Sequence, residues 1–364
     1  MKRNVQLDFL RFCGIFLVMM NHLMIWGHTG WDNAMSKISA GGWIGVDLFF
    51  VLSGYLVSGL IFNEYKLHNS FNSTNFLIRR GFKIYPTYYF FLGFTFLFFN
   101  HLTKTPYSVA GLWHEAIFIS NYTSYNNIHI WSICIEEHFY LLLALVFFLL
   151  IKFNKIELKS FVSIYIFLLL LGLVCRTYNY MYYHDYNFDR DYTKSHFRFD
   201  SLFFGVLLAY IAHYKSHVFD RMLANKFNKL FCLLATAFLF SNFIFYRETY
   251  PIIAVTNLAI NPICFGYLML NIVNYKSASF LKIISPLAYI GKYSYSIYLF
   301  HRFFNYIAIH IVRNGGPLYC LVYFALSIVG GIIISKCIEY PIINFRERYF
   351  PSRSIKKHTY KSAD

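Results

Sequence analysis

The chain has 364 residues, of which 57% are hydrophobic, 22% aromatic and only 14% charged, whereas an ordinary soluble domain carries about 25% charged residues. One soluble core cannot bury this much apolar surface, so the composition excludes a soluble globular domain, a disordered chain and a small disulfide-rich secreted domain. The net charge of +16 fits either a nucleic-acid partner or a membrane protein whose cytoplasmic loops collect Lys and Arg.

Apolar runs of about 17 to 25 residues predict membrane-spanning helices. The chain holds ten such runs, so we predict an all-α polytopic membrane protein with ten transmembrane helices in a lipid bilayer. The first run has no small-residue cleavage signature, which favours a retained helix over a signal peptide. The predicted spans lie near 6–27, 42–63, 84–101, 131–151, 160–182, 199–214, 230–246, 252–273, 289–312 and 317–338.

The distribution of basic residues predicts the orientation of these spans. If the N-terminus is cytoplasmic, the inner segments hold 23 Lys and Arg and the outer segments hold 9, which is the bias typical of cytoplasmic loops. We therefore expect both termini in the cytoplasm and no nucleic-acid partner. The sequence predicts one integral membrane domain over residues 1–345 and a basic cytoplasmic tail over residues 346–364.

Two ionisable residues, Arg11 and His22, lie inside the first predicted span. Their spacing places them within about 20° of one helix face and about 16 Å apart along the axis. Ionisable groups in a span are energetically costly, so they indicate function. The alternatives are an ion pair of Arg11 with Asp8 and a hydrogen-bonded interior histidine at position 22.

Two adjacent carboxylates, Glu136 and Glu137, lie near the start of the fourth predicted span. They point about 100° apart on a helix, so at most one of them faces the same cavity as His22. Glu136 matches the predicted depth of His22, and either Glu136 or Asp47 is the expected partner that orients the imidazole. The alternative is an acidic cap at the helix start.

Three cations, Arg79, Arg80 and Lys83, precede the third predicted span and share a helix face. A cluster of this kind suits a phosphate-rich ligand. A cytoplasmic anchor for the span explains it equally well.

All five tryptophans, at positions 26, 31, 43, 113 and 131, fall on the predicted outer side. An aromatic belt would occupy both interfaces, so the one-sided placement favours a platform for stacking a sugar ring, with the belt as the alternative. The outer loops at 28–41, 102–130 and 183–198 are the expected determinants of the acceptor. The seven cysteines form no CxxC pair and predict neither a metal site nor a disulfide framework.

The order and spacing of several sequence strings resemble the type-3 membrane acyltransferases, which O-acylate sugars and other acceptors. The resemblance covers nearly the whole chain. The strings lie at 7–11 with His22, 45–54, 76–86, 131–137, 198–200, 291–301 and 339–341.

This resemblance implies an enzyme of the bacterial inner membrane that takes a short acyl group, commonly acetyl, from cytoplasmic acyl-CoA. Arg11 and His22 match the essential pair of the family, and Arg79, Arg80 and Lys83 match its coenzyme-binding stretch. Lys83 replaces an arginine and loses the bidentate fork. Arg11 is also expected along the pantetheine arm. For the acceptor, a saccharide hydroxyl on the outer side, the expected binding residues are Trp131, Glu137, Trp43, Asp200, Arg198 and His301.

Two mechanisms fit these residues. His22 acts as general base on the acceptor hydroxyl, or it accepts the acyl group itself and passes it outward. A transporter or flippase for a glycan-type substrate is the alternative function, because it would also place charges within its spans.

Overall fold

The computed structural model describes residues 4–24, 30–103, 106–245, 249–313 and 316–354. Within these ranges the chain forms helices and no strand, which confirms the predicted all-α class. The α-helices are α1 Val5–Asn21, α2 Gly30–Ala40, α3 Ile44–His68, α4 Ser73–Leu102, α5 Val109–Ala116, α6 Trp131–Lys152, α7 Leu158–Tyr183, α8 Phe188–Asp191, α9 Phe199–Tyr214, α10 Ser216–Ala224, α11 Asn228–Ser241, α12 Ile252–Asn274, α13 Ala278–Gly291, α14 Ser294–Ile311, α15 Gly316–Ile334 and α16 Tyr340–Tyr349.

The helices identify a multi-pass membrane protein. Among the described residues, five helical stretches are long and apolar enough to cross a membrane, and the pair α9 and α10, bent by 97°, would make a sixth. Each of the ten predicted spans overlaps a helix, but the ninth is interrupted between α13 and α14. Ten spans and cytoplasmic termini stay predictions. The five stretches are Gly30–His68, Ile128–Lys152, Leu158–Tyr183, Ile252–Asn274 and Gly316–Tyr349.

Close helix packing through glycine fixes α9 against α3, the helix that contributes Val46 to both cavities described below. A Cβ atom at Gly54 would lie 1.9 Å from the Leu202 carbonyl oxygen, and one at Gly205 would lie 2.2 Å from the Val51 carbonyl oxygen. Only glycine therefore permits this approach of the two backbones, as in other membrane helix pairs with small residues at their contact.

Helix α1 carries Arg11, is capped at its N-terminus and is followed directly by His22. The Asn4 side chain caps it by accepting a hydrogen bond from the Leu7 backbone N–H at 3.1 Å, which satisfies one of the free donors of the first turn. The helix ends at Asn21, so His22 lies just beyond its last turn. The charged string 7–11 thus lies at one end of α1 and His22 at the other.

The C-terminal segment packs back onto the helices. A π-helical turn over Ser335–Glu339 joins α15 to α16, and such turns are frequent at functional sites. The predicted boundary between membrane domain and tail, at residue 345, falls inside α16.

Candidate functional site

A cavity of about 930 Å³, including its open mouth, lies between α1, α3, α4, α6 and α14. We call it the Arg80 cavity. It brings together four residues that the sequence predicted for the site, at the end of α1 that carries Arg11. Its polar lining comprises Arg11, Ser53, Arg80, Lys83, Ser132, Glu136, Tyr140, Ser294, Tyr295 and Tyr298, and its apolar lining includes Val46, Phe49, Phe50, Leu52, Ile84 and Ile133.

The three cations of the predicted cluster differ in their partners. The Arg79 guanidinium pairs with Glu347 of α16 at 2.8 Å, and Lys83 forms an ion pair with Glu339. Arg80 forms no hydrogen bond or ion pair with any described residue, and its Nε is buried without an acceptor. Arg80 is therefore the member of the cluster whose guanidinium no described residue binds directly, although the Glu136 carboxylate lines the same cavity.

Arg11 also lines this cavity and forms an ion pair with Asp8 at 2.6 Å, the alternative that the sequence had left open. Its side chain is 33% exposed, whereas that of Asp8 is 3% exposed. The buried Asp8 carboxylate thus binds one edge of the Arg11 guanidinium, and the remaining N–H donors of Arg11 are left for the cavity.

Glu136 lies in the Arg80 cavity, so its expected contact with His22 is wrong. Its Oε2 accepts a hydrogen bond from the Tyr140 hydroxyl at 2.9 Å, and this hydroxyl is also 2.9 Å from Ser53 Oγ. The reason is geometric, because equal depth along two helices does not fix the direction in which each side chain points around its own helix.

A second cavity of about 340 Å³ lies at the opposite end of α1, and we call it the His22 cavity. His22 Nδ1 donates to the Val18 carbonyl oxygen at 2.8 Å, which assigns the lone pair to Nε2. Nε2 has no hydrogen-bond partner among the described residues. His22 Nε2 therefore carries a lone pair that no described residue binds. The cavity is lined by Val18, Asn21, His22, Trp43, Val46, His129, Trp131, Phe188, Tyr192 and Tyr298.

Three histidines form a cluster at this cavity. His301 Nε2 lies 3.3 Å from His22 Nδ1, and the rings of His301 and His129 are 5.0 Å apart. His301 Nδ1 donates to the Tyr298 carbonyl at 2.6 Å and His129 Nε2 to the Leu299 carbonyl at 2.9 Å. His22 is therefore surrounded by these histidines, by Arg302 and by Asn305, which donates to its carbonyl oxygen at 2.5 Å, and by neither Glu136 nor Asp47.

The sequence analysis missed His129, which lies in a short 3₁₀ turn over Ile128–Ile130 where no helical period exists to place it. Glu115 holds the preceding turn, since its Oε1 accepts the backbone N–H groups of Asn126 at 2.7 Å and Asn127 at 2.5 Å. Burial raises the pKa of Glu115, and these hydrogen bonds offset part of that effect. In the sequence, only the position of His129, two residues before the predicted acceptor-binding Trp131, indicates that it belongs to the site.

The two cavities adjoin, because Val46 and Tyr298 line both of them. A guanidinium without a direct partner and an imidazole with a free lone pair thus lie in neighbouring cavities that share two lining residues. The family model described as an acyltransferase domain matches residues 4–336.

The chain belongs to the type-3 acyltransferase family. O-acetyltransferase OatA of Staphylococcus aureus is 28% identical to this acyltransferase across 83% of the chain, and the match covers 53% of OatA. An uncharacterized protein of Haemophilus influenzae is 29% identical across 54% of the chain and 85% of that protein. The chain thus spans about half the length of OatA, and no solved structure matches it.

Three of the predicted site residues of this acyltransferase form buried ion pairs outside both cavities. Asp47 pairs with Arg198 and accepts a hydrogen bond from Asn261 at 3.0 Å, so the expected contact of Asp47 with His22 is wrong. Asp200 pairs with Arg176 at 2.9 Å. Because carboxylates and guanidiniums in a bilayer need partners, these pairs join α3, α7, α9 and α12, and the contact of Asp200 and Arg198 with an acceptor stays a prediction.

The predicted tryptophans divide into two groups. Trp43 and Trp131 are buried and line the His22 cavity, where both pack edge-on against Tyr192 at 5.7 and 4.8 Å between ring centroids. Trp31 and Trp113 are exposed. Trp26 lies outside the described residues.

Glu137 lines neither cavity and accepts a hydrogen bond from the Tyr85 hydroxyl at 3.0 Å. The polar loop at 183–198 does reach the site, since Phe188 and Tyr192 lie in the wall of the His22 cavity. Arg198 reinforces this wall, because its guanidinium lies over the Tyr192 ring at 4.7 Å and the Trp131 ring at 5.9 Å.

Proposed function

We propose that this protein is a transmembrane O-acyltransferase of the bacterial cytoplasmic membrane. It moves an acetyl or other short acyl group from cytoplasmic acyl-CoA to a hydroxyl of a cell-surface saccharide or its lipid-linked precursor. The adjoining pair of cavities carries this proposal, one with the unpaired Arg80 guanidinium and one with the free Nε2 of His22. Family membership and the relative named O-acetyltransferase support it.

Acyl-CoA is expected in the Arg80 cavity. Its phosphates need cations, and Arg80 supplies a planar fork of donors that no described carboxylate occupies. Lys83 and Arg79 contribute less, because Glu339 and Glu347 already neutralise them. Arg11, partly exposed beside Asp8, lines the same cavity and is expected along the pantetheine arm of the coenzyme.

His22 is the proposed general base on the acceptor. Its Nε2 takes the proton of the acceptor hydroxyl while the hydroxyl oxygen attacks the thioester carbonyl. Collapse of the tetrahedral intermediate breaks the carbon–sulfur bond, and the leaving thiolate takes the proton from the imidazolium. The products are an ester and the free thiol of CoA. The hydrogen bond from His22 Nδ1 to the Val18 carbonyl selects the tautomer of the neutral ring that carries its proton on Nδ1 and its lone pair on Nε2.

A saccharide fits the walls of the His22 cavity. Trp43, Trp131 and Tyr192 provide flat apolar faces and edges against which a sugar ring packs. Asn21 adds an amide that can donate to or accept from a hydroxyl.

The relay mechanism uses the same residues. His22 would attack the thioester, hold the acyl group and release it to the acceptor hydroxyl in a second step. Incubating the protein with acyl-labelled acetyl-CoA and no acceptor separates the two routes. Labelled protein in the wild type but not in His22→Gln indicates the relay, and unlabelled protein in both indicates direct transfer.

The function is tested by the chemistry of the cell surface. We expect ester-linked acetate on surface polysaccharide in cells that carry the gene, and loss of that acetate in cells with a deletion or with His22→Gln. Release of CoA thiol from acetyl-CoA by the purified protein distinguishes the enzyme from a transporter, which would leave the thioester intact. Unchanged ester acetate after deletion would contradict the proposal.

A further inference from the structure

Among the residues that the structure describes, Tyr298 is the one polar residue that lines both cavities. Its hydroxyl donates to the His129 carbonyl oxygen at 2.5 Å and lies 2.6 Å from Ser132 Oγ. Ser132 lines the Arg80 cavity and His129 lines the His22 cavity. The Tyr298 hydroxyl therefore forms one hydrogen bond to a residue of each cavity.

The ring of Tyr298 is held in this position by packing. It is 8% exposed and contacts the rings of Phe49 at 6.3 Å, His129 at 5.9 Å and His301 at 5.7 Å between centroids. Val46, the other residue common to both cavities, has an apolar side chain and forms no side-chain hydrogen bond. The hydrogen bonds of the Tyr298 hydroxyl therefore hold the boundary between the two cavities in place.

We propose that Tyr298, held by Ser132 and His129, is a positioning residue that limits the access of water in the His22 cavity to the acyl thioester, whereas an acceptor hydroxyl bound beside His22 reaches it. This inference rests on the proposed function. A thioester in reach of water is lost to hydrolysis, in which water attacks the carbonyl, the carbon–sulfur bond breaks, and acetate and CoA thiol are released. Closed sites suppress this side reaction by excluding water. Tyr298 then makes transfer, rather than hydrolysis, the outcome of thioester cleavage.

The sharpest variant is Tyr298→Phe, because it keeps the ring and removes both hydrogen bonds. The matched control is Tyr323→Phe, since Tyr323 is also fully buried, its hydroxyl donates to the Met19 carbonyl at 3.3 Å, and it lines neither cavity. Ser132→Ala removes one of the two partners. Its control is Ser58→Ala, which deletes a buried hydroxyl that bonds the Gly54 carbonyl at 2.6 Å.

The measurement is the ratio of CoA released without acceptor to ester formed with surface polysaccharide, using purified protein and acetyl-CoA. We expect Tyr298→Phe to raise this ratio about tenfold, which would follow from about 1.4 kcal/mol less protection of the thioester. Ser132→Ala raises it less, and the two control variants leave it at the wild-type value. A purely structural role would lower both activities together and leave the ratio unchanged.

The outcomes separate this inference from the proposed function. If wild type forms ester but Tyr298→Phe keeps its ratio, or Tyr323→Phe raises it equally, the separating role is wrong and the function stands. If wild type releases no CoA and forms no ester, the proposed function fails and this inference fails with it.

Discussion

Two sets of charges lie within the helices of this protein and differ in their surroundings. In the Arg80 cavity, the Arg80 guanidinium has no described partner. In the second set, around α3 and α9, the ion pairs of Asp47 with Arg198 and of Asp200 with Arg176 leave each side chain at most 2% exposed. A charge inside a membrane protein thus indicates a ligand site only where it faces a cavity without a partner, and otherwise it holds helices together.

The largest effect is expected from breaking a pair of the second set. Asp47→Asn keeps the size of the side chain and removes its charge, so Arg198 is left buried and uncompensated, which costs about 3–5 kcal/mol. We expect a large loss of folded protein, measured by thermal unfolding in detergent. The control is Lys155→Ala, which breaks an exposed pair with Glu157 worth about 0–1 kcal/mol. Wild-type stability of Asp47→Asn would refute this account of the pairs.

His22→Gln tests the second cavity. The variant removes the proposed base, and we expect ester formation to fall about 10²- to 10⁴-fold while the protein remains folded. His310→Gln is a close control, because His310 makes the same Nδ1 bond to a carbonyl four residues earlier, at 2.7 Å, but is exposed. Equal losses in the two variants would argue against a role in catalysis for His22.

Arg80→Gln and Arg79→Gln compare an unpaired with a paired cation. Loss of a hydrogen bond to a charged group is worth about 1.5–3 kcal/mol, so KM for acetyl-CoA should rise about 10- to 100-fold in Arg80→Gln. Arg79→Gln should change KM far less, because Glu347 already occupies that guanidinium. Steady-state kinetics with acetyl-CoA as the varied substrate measure both KM values. A larger rise in Arg79→Gln than in Arg80→Gln would contradict the assignment of Arg80 to coenzyme binding.

The smallest effect is expected from Glu347→Gln. Glu347 is 45% exposed and pairs with Arg79, so its loss should change the free energy of unfolding by about 0–1 kcal/mol. The same variant frees Arg79, and KM for acetyl-CoA should fall or stay constant. A clear rise in KM would mean that α16 itself contributes to coenzyme binding.

The sequence alone predicts the features that depend on a single helix, namely the fold class and the positions of residues along that helix. The all-α class and the separation of Arg11 and His22 along α1 follow from hydropathy and helical spacing. The cluster of Arg79, Arg80 and Lys83 follows from the family motifs, but which of the three lacks a partner does not. Contacts between helices did not follow. Lys83 pairs with Glu339, and Asp47 with Arg198, although more than 100 residues separate the members of each pair. Helical period gives the direction of a side chain on its own helix but does not identify the neighbouring helix.

The sequence prediction of the site also lacks the residues that lie where the backbone is irregular. His129 lies in a 3₁₀ turn and Tyr192 follows the single turn of α8, so neither belongs to a periodic pattern. Depth alone predicts Glu136 beside His22, whereas Glu136 lies in the Arg80 cavity and bonds Tyr140. Residues that close the site thus come from connections whose course only the folded chain defines.

The central claim is that donor binding and base catalysis are separated between two adjoining cavities. Calorimetric binding of acetyl-CoA to the purified protein, combined with turnover of the same samples, tests it directly. The account predicts that His22→Gln binds acetyl-CoA with wild-type affinity and forms no ester, whereas Arg80→Gln binds it about 10- to 100-fold more weakly. Equal loss of affinity in both variants, or unchanged affinity in Arg80→Gln, would contradict it.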